Sequence, residues 1–251
     1  MIKGYFVQTS NSAAFFSAFD DLGRRGAGEA CLMVVDGVPG LGKTTTMNWA
    51  AVQAGWPMLR AKREWTPGWV LRELLETLGI PPAHSFERMF KQSIDGLLSR
   101  TTTAARDQST FALVIDEADH ICRRSEILET VRDISDLLEV PVVLVGMGRL
   151  RHALTRYPQV ASRVARYVEF QTATLADVQA LVAGLCEVPV ADDLIAFLAK
   201  HADGKAREIK EGIAAIERHG LRNKGTVTLK AMVGQTLLND RKSGQPILVR
   251  E

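Results

Sequence analysis

Cysteine is scarce in this 251-residue sequence. Cys31, Cys122 and Cys186 are odd in number and share no short spacing, which excludes a disulfide framework or a zinc site built from paired thiols. They read as buried or inert thiols. Long apolar runs are missing too. No stretch approaches the roughly eighteen residues that span a bilayer, and the start, MIKGYFVQTSN, lacks the apolar core of a signal peptide. A cytoplasmic chain with no membrane partner is the expectation. There is no internal repeat and no low-complexity segment. Excess charge is small, +2 overall, but it divides into −2 over residues 1–150 and +4 over residues 151–251. The mildly basic C-terminal part permits nucleic-acid contact without demanding it.

What is present is the composition of an ordinary globular protein, 46% hydrophobic and 24% charged. The length suits one α/β domain with a small appendage. Short apolar runs alternate with helical periodicities, the pattern of a parallel sheet wrapped by helices. The runs predict strands at Cys31–Asp36, Met58–Ala61, Phe111–Asp116, Val142–Gly146 and Tyr167–Phe170. Three helical stripes lie between them: Val70, Leu71, Leu74, Leu75 and Leu78; Phe86, Met89, Phe90, Ile94, Leu97 and Leu98; and Ile127, Val131, Ile134 and Leu138. Beyond Phe170 the strand signal fades. Thr174 with Asp177 three residues on marks a helix start, DDLIAFLAKH and REIKEGIAAIERH read as two further helices, and TLKAMVGQTLLND as a fourth. The expected organisation is an α/β domain over 1–171, an all-helical domain over 172–240 and a flexible tail over 241–251.

The chemistry begins at GVPGLGKT, which fits G-x-x-x-x-G-K-[ST] with Gly37, Gly42, Lys43 and Thr44, directly after an apolar strand and before a helical run. Glycines let the backbone curl so that its N–H groups face phosphate oxygens, and the following helix adds the positive end of its dipole. Val38, Pro39, Gly40 and Leu41 complete the loop, and Thr45 follows it. Lys43 would reach the β- and γ-phosphates of ATP, and Thr44 would hold Mg²⁺.

The stretch FALVIDEADH supplies the acids. An uninterrupted apolar run ends in Asp116 and Glu117, which places both carboxylates at the carboxyl edge of a buried strand, where ligands of open α/β sheets bind. Asp116 would join the Mg²⁺ shell and Glu117 would act as general base on the attacking water. The letters Asp-Glu-Ala-Asp also name a class of RNA helicases. That class needs a second nucleotide-fold domain, a Ser-Ala-Thr triplet and an arginine-rich late segment, and the sequence has none of them. Asp119 and His120 are therefore expected to be incidental to hydrolysis.

The order of these features resembles the AAA+ ATPases: a phosphate loop, an acidic pair on the third strand, an apolar fourth strand, an arginine before the fifth, then a helical lid. The resemblance implies an AAA+ P-loop NTPase fold, with a five-stranded parallel sheet flanked by helices and a small C-terminal all-helical lid. It implies further roles: Arg163 as an arginine finger acting in trans on a neighbour's ATP, with Arg166 as the alternative, and Arg207 as the sensor-two arginine of its own subunit. Such proteins carry a polar residue at the tip of the fourth strand, where VVLVGMGRL offers Met147, so slow hydrolysis is expected. The segments FVQTSNSAAFFSAFDDLGRRGAGEACLMVVDGVPGLGKTTTMNWAA and AKREWTPGWVLRELLETLG are similar to the transposition B proteins of Mu-like phages, and the similarity covers residues 5–240. It implies an ATPase that coats duplex DNA without sequence preference as a helical filament or a ring of like subunits in a bacterial host cell, and that delivers target DNA to a transposase. A helicase loader or replication initiator is the alternative, and a signalling ATPase without nucleic acid the third possibility. Phosphate contacts carry non-specific affinity, so the expected DNA-facing residues are Lys62 and Arg63, then Thr101, Thr102, Thr103 and Arg106, then Arg123 and Arg124. Trp65 and Trp69 are expected to pack locally.

Overall fold

A computed structural model describes residues 5–223 and 225–250. The chain runs α1 (Ser10–Gly23), β1 (Leu32–Asp36), α2 (Lys43–Ala54), β2 (Met58–Arg60), α3 (Pro67–Leu78), α4 (Phe86–Arg106) and β3 (Leu113–Asp116). A single 3₁₀ turn, Ala118–His120, leads to α5 (Ser125–Leu138), β4 (Val142–Val145), α6 (Leu150–Leu154), α7 (Pro158–Ala161) and β5 (Val164–Glu169). Then come α8 (Leu175–Leu185), α9 (Asp192–His201), α10 (Ala206–Gly220), α11 (Leu229–Met232), β6 (Thr236–Asn239) and β7 (Pro246–Leu248). Two compact units emerge, one of Ala14–Val38 with Lys43–Phe170, the other of the residues up to Ala13 with Pro39–Gly42 and the chain from Gln171 on.

In the first unit the five strands form one parallel sheet in the order β2-β3-β4-β1-β5. Every residue of β1, β3 and β4 is buried, as strands covered on both faces must be, and this is why they read as unbroken apolar runs rather than alternations. β5 differs from expectation. It begins at Val164, three residues earlier than the apolar run suggests, because it is an edge strand whose first half, Val164 to Arg166, is only partly covered. The predicted stripes of α3 and α5 face the core, with Leu71, Leu74 and Leu75 and Ile127, Val131 and Ile134 buried; in α4 Met89 and Leu97 are buried, but Phe86 and Leu98, expected in the same stripe, are exposed at its margins. α3 has clean boundaries. Thr66 caps its N-terminus by accepting from Trp69 N, Pro67 takes the first position, and Gly79 ends it in the left-handed region at φ 76°. Trp65 is fully buried.

The second unit has its own core, in which Val178, Leu181, Leu194, Leu198, Ile209, Ile213 and Ile216 meet. α8 starts with the expected capping box between Thr174 and Asp177. Two corrections apply to the C-terminal end. The expected fourth helix is a single turn, α11, because Gly234 at φ 79° breaks the run and Thr236–Asn239 extends as β6. The segment expected to be a flexible tail returns as β7, antiparallel to β6, with Val249 fully buried. The unit is therefore helical with a terminal hairpin. Cys31 and Cys122 are buried free thiols and Cys186 is half-buried. Among the described residues no helix is long and apolar enough to cross a membrane.

Asp177 does more than cap. Its carboxylate accepts from Thr174 N at 2.9 Å and Oγ1 at 2.9 Å, and also from Ser10 N at 2.6 Å and Oγ at 2.7 Å. Burial alone would raise its pKa, but the donors of Ser10 and Thr174 outweigh burial and hold it below the usual carboxylate range. Asp177→Ala is expected to cost about 2 kcal/mol in urea denaturation. A depressed folded pKa makes this contribution fully present above the unfolded value of about 4. It is lost as pH falls through the folded value, so wild type and variant should converge in acid.

Candidate nucleotide site

The loop between β1 and α2 has the backbone a phosphate cradle requires. Gly37 lies at φ 140°, where a Cβ would stand 2.7 Å from the Phe170 carbonyl oxygen, and Gly42 lies at φ 93°. Lys43 opens α2 with its side chain turned back into the loop, where Nζ donates to Gly37 O at 2.5 Å and Val38 O at 2.9 Å. Burial pulls its pKa below the usual lysine value, against the opposing charges of Asp36, Asp116 and Asp119.

β3 delivers the acids as its sequence promised. Asp116 is buried, accepts from Thr44 Oγ1 at 2.8 Å and from Glu117 N at 2.9 Å. Thr44 and Asp116 are hard oxygen donors that already converge on each other, which fits Mg²⁺. Among the described residues no group of three or more His, Cys, Asp or Glu could hold a metal ion, so such an ion would take its remaining oxygens from phosphate and water. Glu117 sits in the left-handed region at φ 56°, a conformation costing about 1–2 kcal/mol that concentrates at functional sites. Its carboxylate pairs with Arg60 of β2 and stands 3.6 Å from His120 Nε2. The hydrogen bond from Arg60 keeps it below the usual glutamate range, against partial burial.

Three participants escape sequence inspection. Arg60 is brought to Glu117 by the pairing of β2 with β3, in which Arg60 lies opposite Asp116. Asp36, the last residue of β1, is buried and accepts from three backbone N–H groups: Gly37 at 2.9 Å, Arg151 at 3.2 Å, and Gly148. Asp119, expected to be incidental, is half-buried at the tip of β4, where Oδ2 accepts from Met147 N at 2.6 Å. Burial raises its pKa and the Met147 N–H opposes that. The exposed Met147 thus offers no polar side chain, and two carboxylates grip the backbone beside it instead. A signal for Asp36 existed, since a carboxylate ending a buried strand is the feature that picked Asp116. Asp119→Ala is expected to slow nucleotide turnover about tenfold with ATP affinity kept, and Asp119→Asn, whose amide oxygen can still accept from Met147, to recover most of it. Equal rates in wild type and the alanine variant would return Asp119 to a bystander.

The remaining expected residues are scattered. Arg207 is exposed at the start of α10, and its backbone N–H donates to Gly40 O at 3.1 Å. Arg163 is held within its own chain, with Nε 2.9 Å from Asp136 Oδ2, and Arg166 bonds the carbonyl of Ala165 at 3.0 Å. Lys62 pairs with Glu73 and lies over the Trp69 ring. Arg63 is exposed without a side-chain partner among the described residues. Thr101, Thr102 and Thr103 lie inside α4, where their hydroxyls donate to Leu97, Leu98 and Ser99 carbonyls at 2.8–3.0 Å. A helix, not a loop, holds these residues, and Arg106 ends it. Arg124 is occupied by Trp65 O and Glu126, whereas Arg123 is exposed.

A phosphate loop, a paired Thr44 and Asp116 and an acid at the carboxyl edge of a β2-β3-β4-β1-β5 sheet define a P-loop nucleotide-binding fold of the AAA+ class. The AAA domain family model matches residues 26–154, and the chain belongs to that family. No curated protein sequence matches it significantly. Among solved structures it is similar to the Aeropyrum pernix ORC2 protein in ADPNP and ADP complexes, at 15% identity and TM-score 0.63 over 88% of this chain and 66% of that one. The Aeropyrum pernix ORC1 protein in complex with DNA matches at 18% identity and TM-score 0.59, over 87% of this chain and 62% of that one. Drosophila ORC bound to DNA matches at 20% identity and TM-score 0.55, over 87% and 58%. The chain thus spans less than two thirds of the length of these structures, and the likeness is one of fold.

Proposed function

We propose that this protein is an ATP-hydrolysing, duplex-DNA-binding switch of the initiator or loader type, in which nucleotide state governs assembly on DNA. The convergence of Lys43, Thr44, Asp116 and Glu117 carries the reading. On binding, Lys43 exchanges the carbonyls of Gly37 and Val38 for phosphate oxygens, a move its burial favours because the phosphates replace a partial pairing with a full one. Thr44 and Asp116 would hold Mg²⁺, which neutralises charge on the transferring phosphate when bound. Glu117 takes the proton of the attacking water once it leaves Arg60. Arg207, on the helix that meets Gly40, reaches for the γ-phosphate, and Arg163 leaves Asp136 to complete the site of a neighbouring subunit.

The DNA part is supported by likeness to structures solved on DNA. The similarity of residues 6–51 and 61–79 to phage transposition B proteins supports a second reading, in which the same nucleotide-controlled DNA binding forms filaments and hands target DNA to a transposase. Negative-stain microscopy and fluorescence anisotropy with random-sequence duplex, with ATP and with ADP, test both. ATP-dependent complexes are expected. Duplex binding restricted to certain sequences favours the initiator reading, filaments without sequence preference favour the transposition one, and no duplex complex at any moderate salt sinks both. Arg163→Ala and Glu117→Gln subunits, each inactive, are expected to regain part of the turnover when mixed. No rescue in confirmed mixed assemblies would remove Arg163 from the neighbour's site.

A further inference from the structure

Three of the cations favoured by sequence position are spent on acids of their own chain: Lys62 on Glu73, Arg124 on Glu126 and Arg163 on Asp136. One stretch is different. Residues 140–168 contain no Asp or Glu, yet they hold Arg149, Arg151, His152, Arg156, Arg163 and Arg166. α6 organises the first four. Leu150 and Leu154 are fully buried one turn apart, so Arg151, His152 and Thr155 point outward, with Arg149 just before the helix and Arg156 just after it. Arg149, Arg151, His152 and Arg156 are all exposed, and none forms an ion pair among the described residues. Arg151 lies over the Tyr167 ring, 4.9 Å from its centre. Arg123 is exposed as well and follows Cys122 in the chain. Burial and Asp119 push the Cys122 thiol up, while Arg123 and Arg156 both act on it in the opposite sense.

This patch is joined to the phosphate loop by a single buried group. The Asp36 carboxylate accepts from Gly37 N at the start of that loop, and from Gly148 N and Arg151 N at the root of the patch. Gly148 itself lies at φ 93°, so the turn that presents Arg149 has a backbone few other residues could adopt. Gly37 and residues 148–151 therefore share one hydrogen-bond acceptor, the Asp36 carboxylate.

We propose that Arg149, His152 and Arg156 form a surface for the phosphates of duplex DNA, and that Asp36 links its placement to the nucleotide bound at the phosphate loop. Clustered, exposed arginines that form no ion pair among the described residues suit a polyanion whose charges repeat every few ångströms. The inference rests on the DNA-binding reading above and names the surface that reading needs.

The test is anisotropy with a fluorescent random-sequence duplex at saturating ATP over a range of salt. Arg149→Glu/Arg156→Glu is expected to lose at least tenfold in affinity, and its salt slope to become shallower by about 2, one per contact removed, with ATP affinity within twofold of wild type. Asp36→Asn, checked to be nucleotide-saturated, is expected to bind DNA equally with ATP and ADP where wild type does not. Unchanged affinity and slope in the double variant overturn the surface. So does an unchanged slope with loss of self-association in the absence of DNA, which would make the patch a contact between copies. A persisting ATP/ADP difference in Asp36→Asn overturns the link alone. Wild type that binds no duplex sinks the DNA-binding reading and this surface together, whereas a wild type that binds and a double variant that matches it sinks only the surface.

Discussion

Replacement of Lys43 by alanine is expected to lower ATP affinity at least a hundredfold. Lys43 is buried, and its ammonium interacts with Asp36, Asp116 and Asp119 together. Removing it deletes the phosphate's strongest charge-assisted donor and leaves three carboxylates without their common counter-charge. Loss of one partner from a buried charged arrangement costs about 2–5 kcal/mol, and about 2.7 kcal/mol is already a hundredfold. The fold should persist, because β1, β3 and β4 are held by fully buried apolar residues that do not touch this group's chemistry. Melting temperature should fall without added nucleotide, and nucleotide should no longer raise it, since stabilisation by a ligand scales with its occupancy. Titration calorimetry with ATP and Mg²⁺ checks the affinity. An unchanged dissociation constant in a folded variant would place the phosphates elsewhere.

The site residues whose placement could be read in the sequence share one property: that placement depends on neighbours a few positions away. Gly37 to Thr44 follow a strand and open a helix, and Asp116 and Glu117 end an apolar run, so position on the sheet edge comes directly from the pattern. Arg60, Asp36 and Asp119 act across strands. Arg60 meets Glu117 only because β2 pairs with β3, and Asp36 reaches Gly148 and Arg151 only because β1 pairs with β4. Periodicity identifies strands but does not order them. The same limit applies to charge. Lys62, Arg124 and Arg163 look as available in the sequence as Arg149 and Arg156 do, and only the fold reveals which have acids at hand. The C-terminal misreading has another origin. Leu229, Met232 and Val233 have helical spacing, and the hairpin that follows depends on the conformation of Gly234 and on Val249 finding a buried place fifteen residues later.

Glu117→Gln should leave ATP affinity within a few fold and reduce turnover at least a hundredfold, the range that loss of a general base produces. Glutamine keeps the size of the side chain and can occupy the same backbone position, but it cannot accept a proton. The pair with Arg60 adds a second expectation. A carboxylate engaged by a guanidinium is turned away from water and is a weaker base, since the hydrogen bond from Arg60 stabilises its charged form. Turnover therefore requires that this pair open. Arg60 is largely exposed, at 73% of its side chain, so its removal disturbs no core. Arg60→Ala is expected to raise basal ATP turnover several fold, with ATP affinity unchanged. The gain must run through Glu117, so Arg60→Ala/Glu117→Gln should be as inactive as Glu117→Gln alone. Steady-state phosphate release from the four proteins separates the possibilities. A fall in turnover for Arg60→Ala would mean that the arginine holds Glu117 in its working position, and activity in the double variant would mean that the base lies elsewhere.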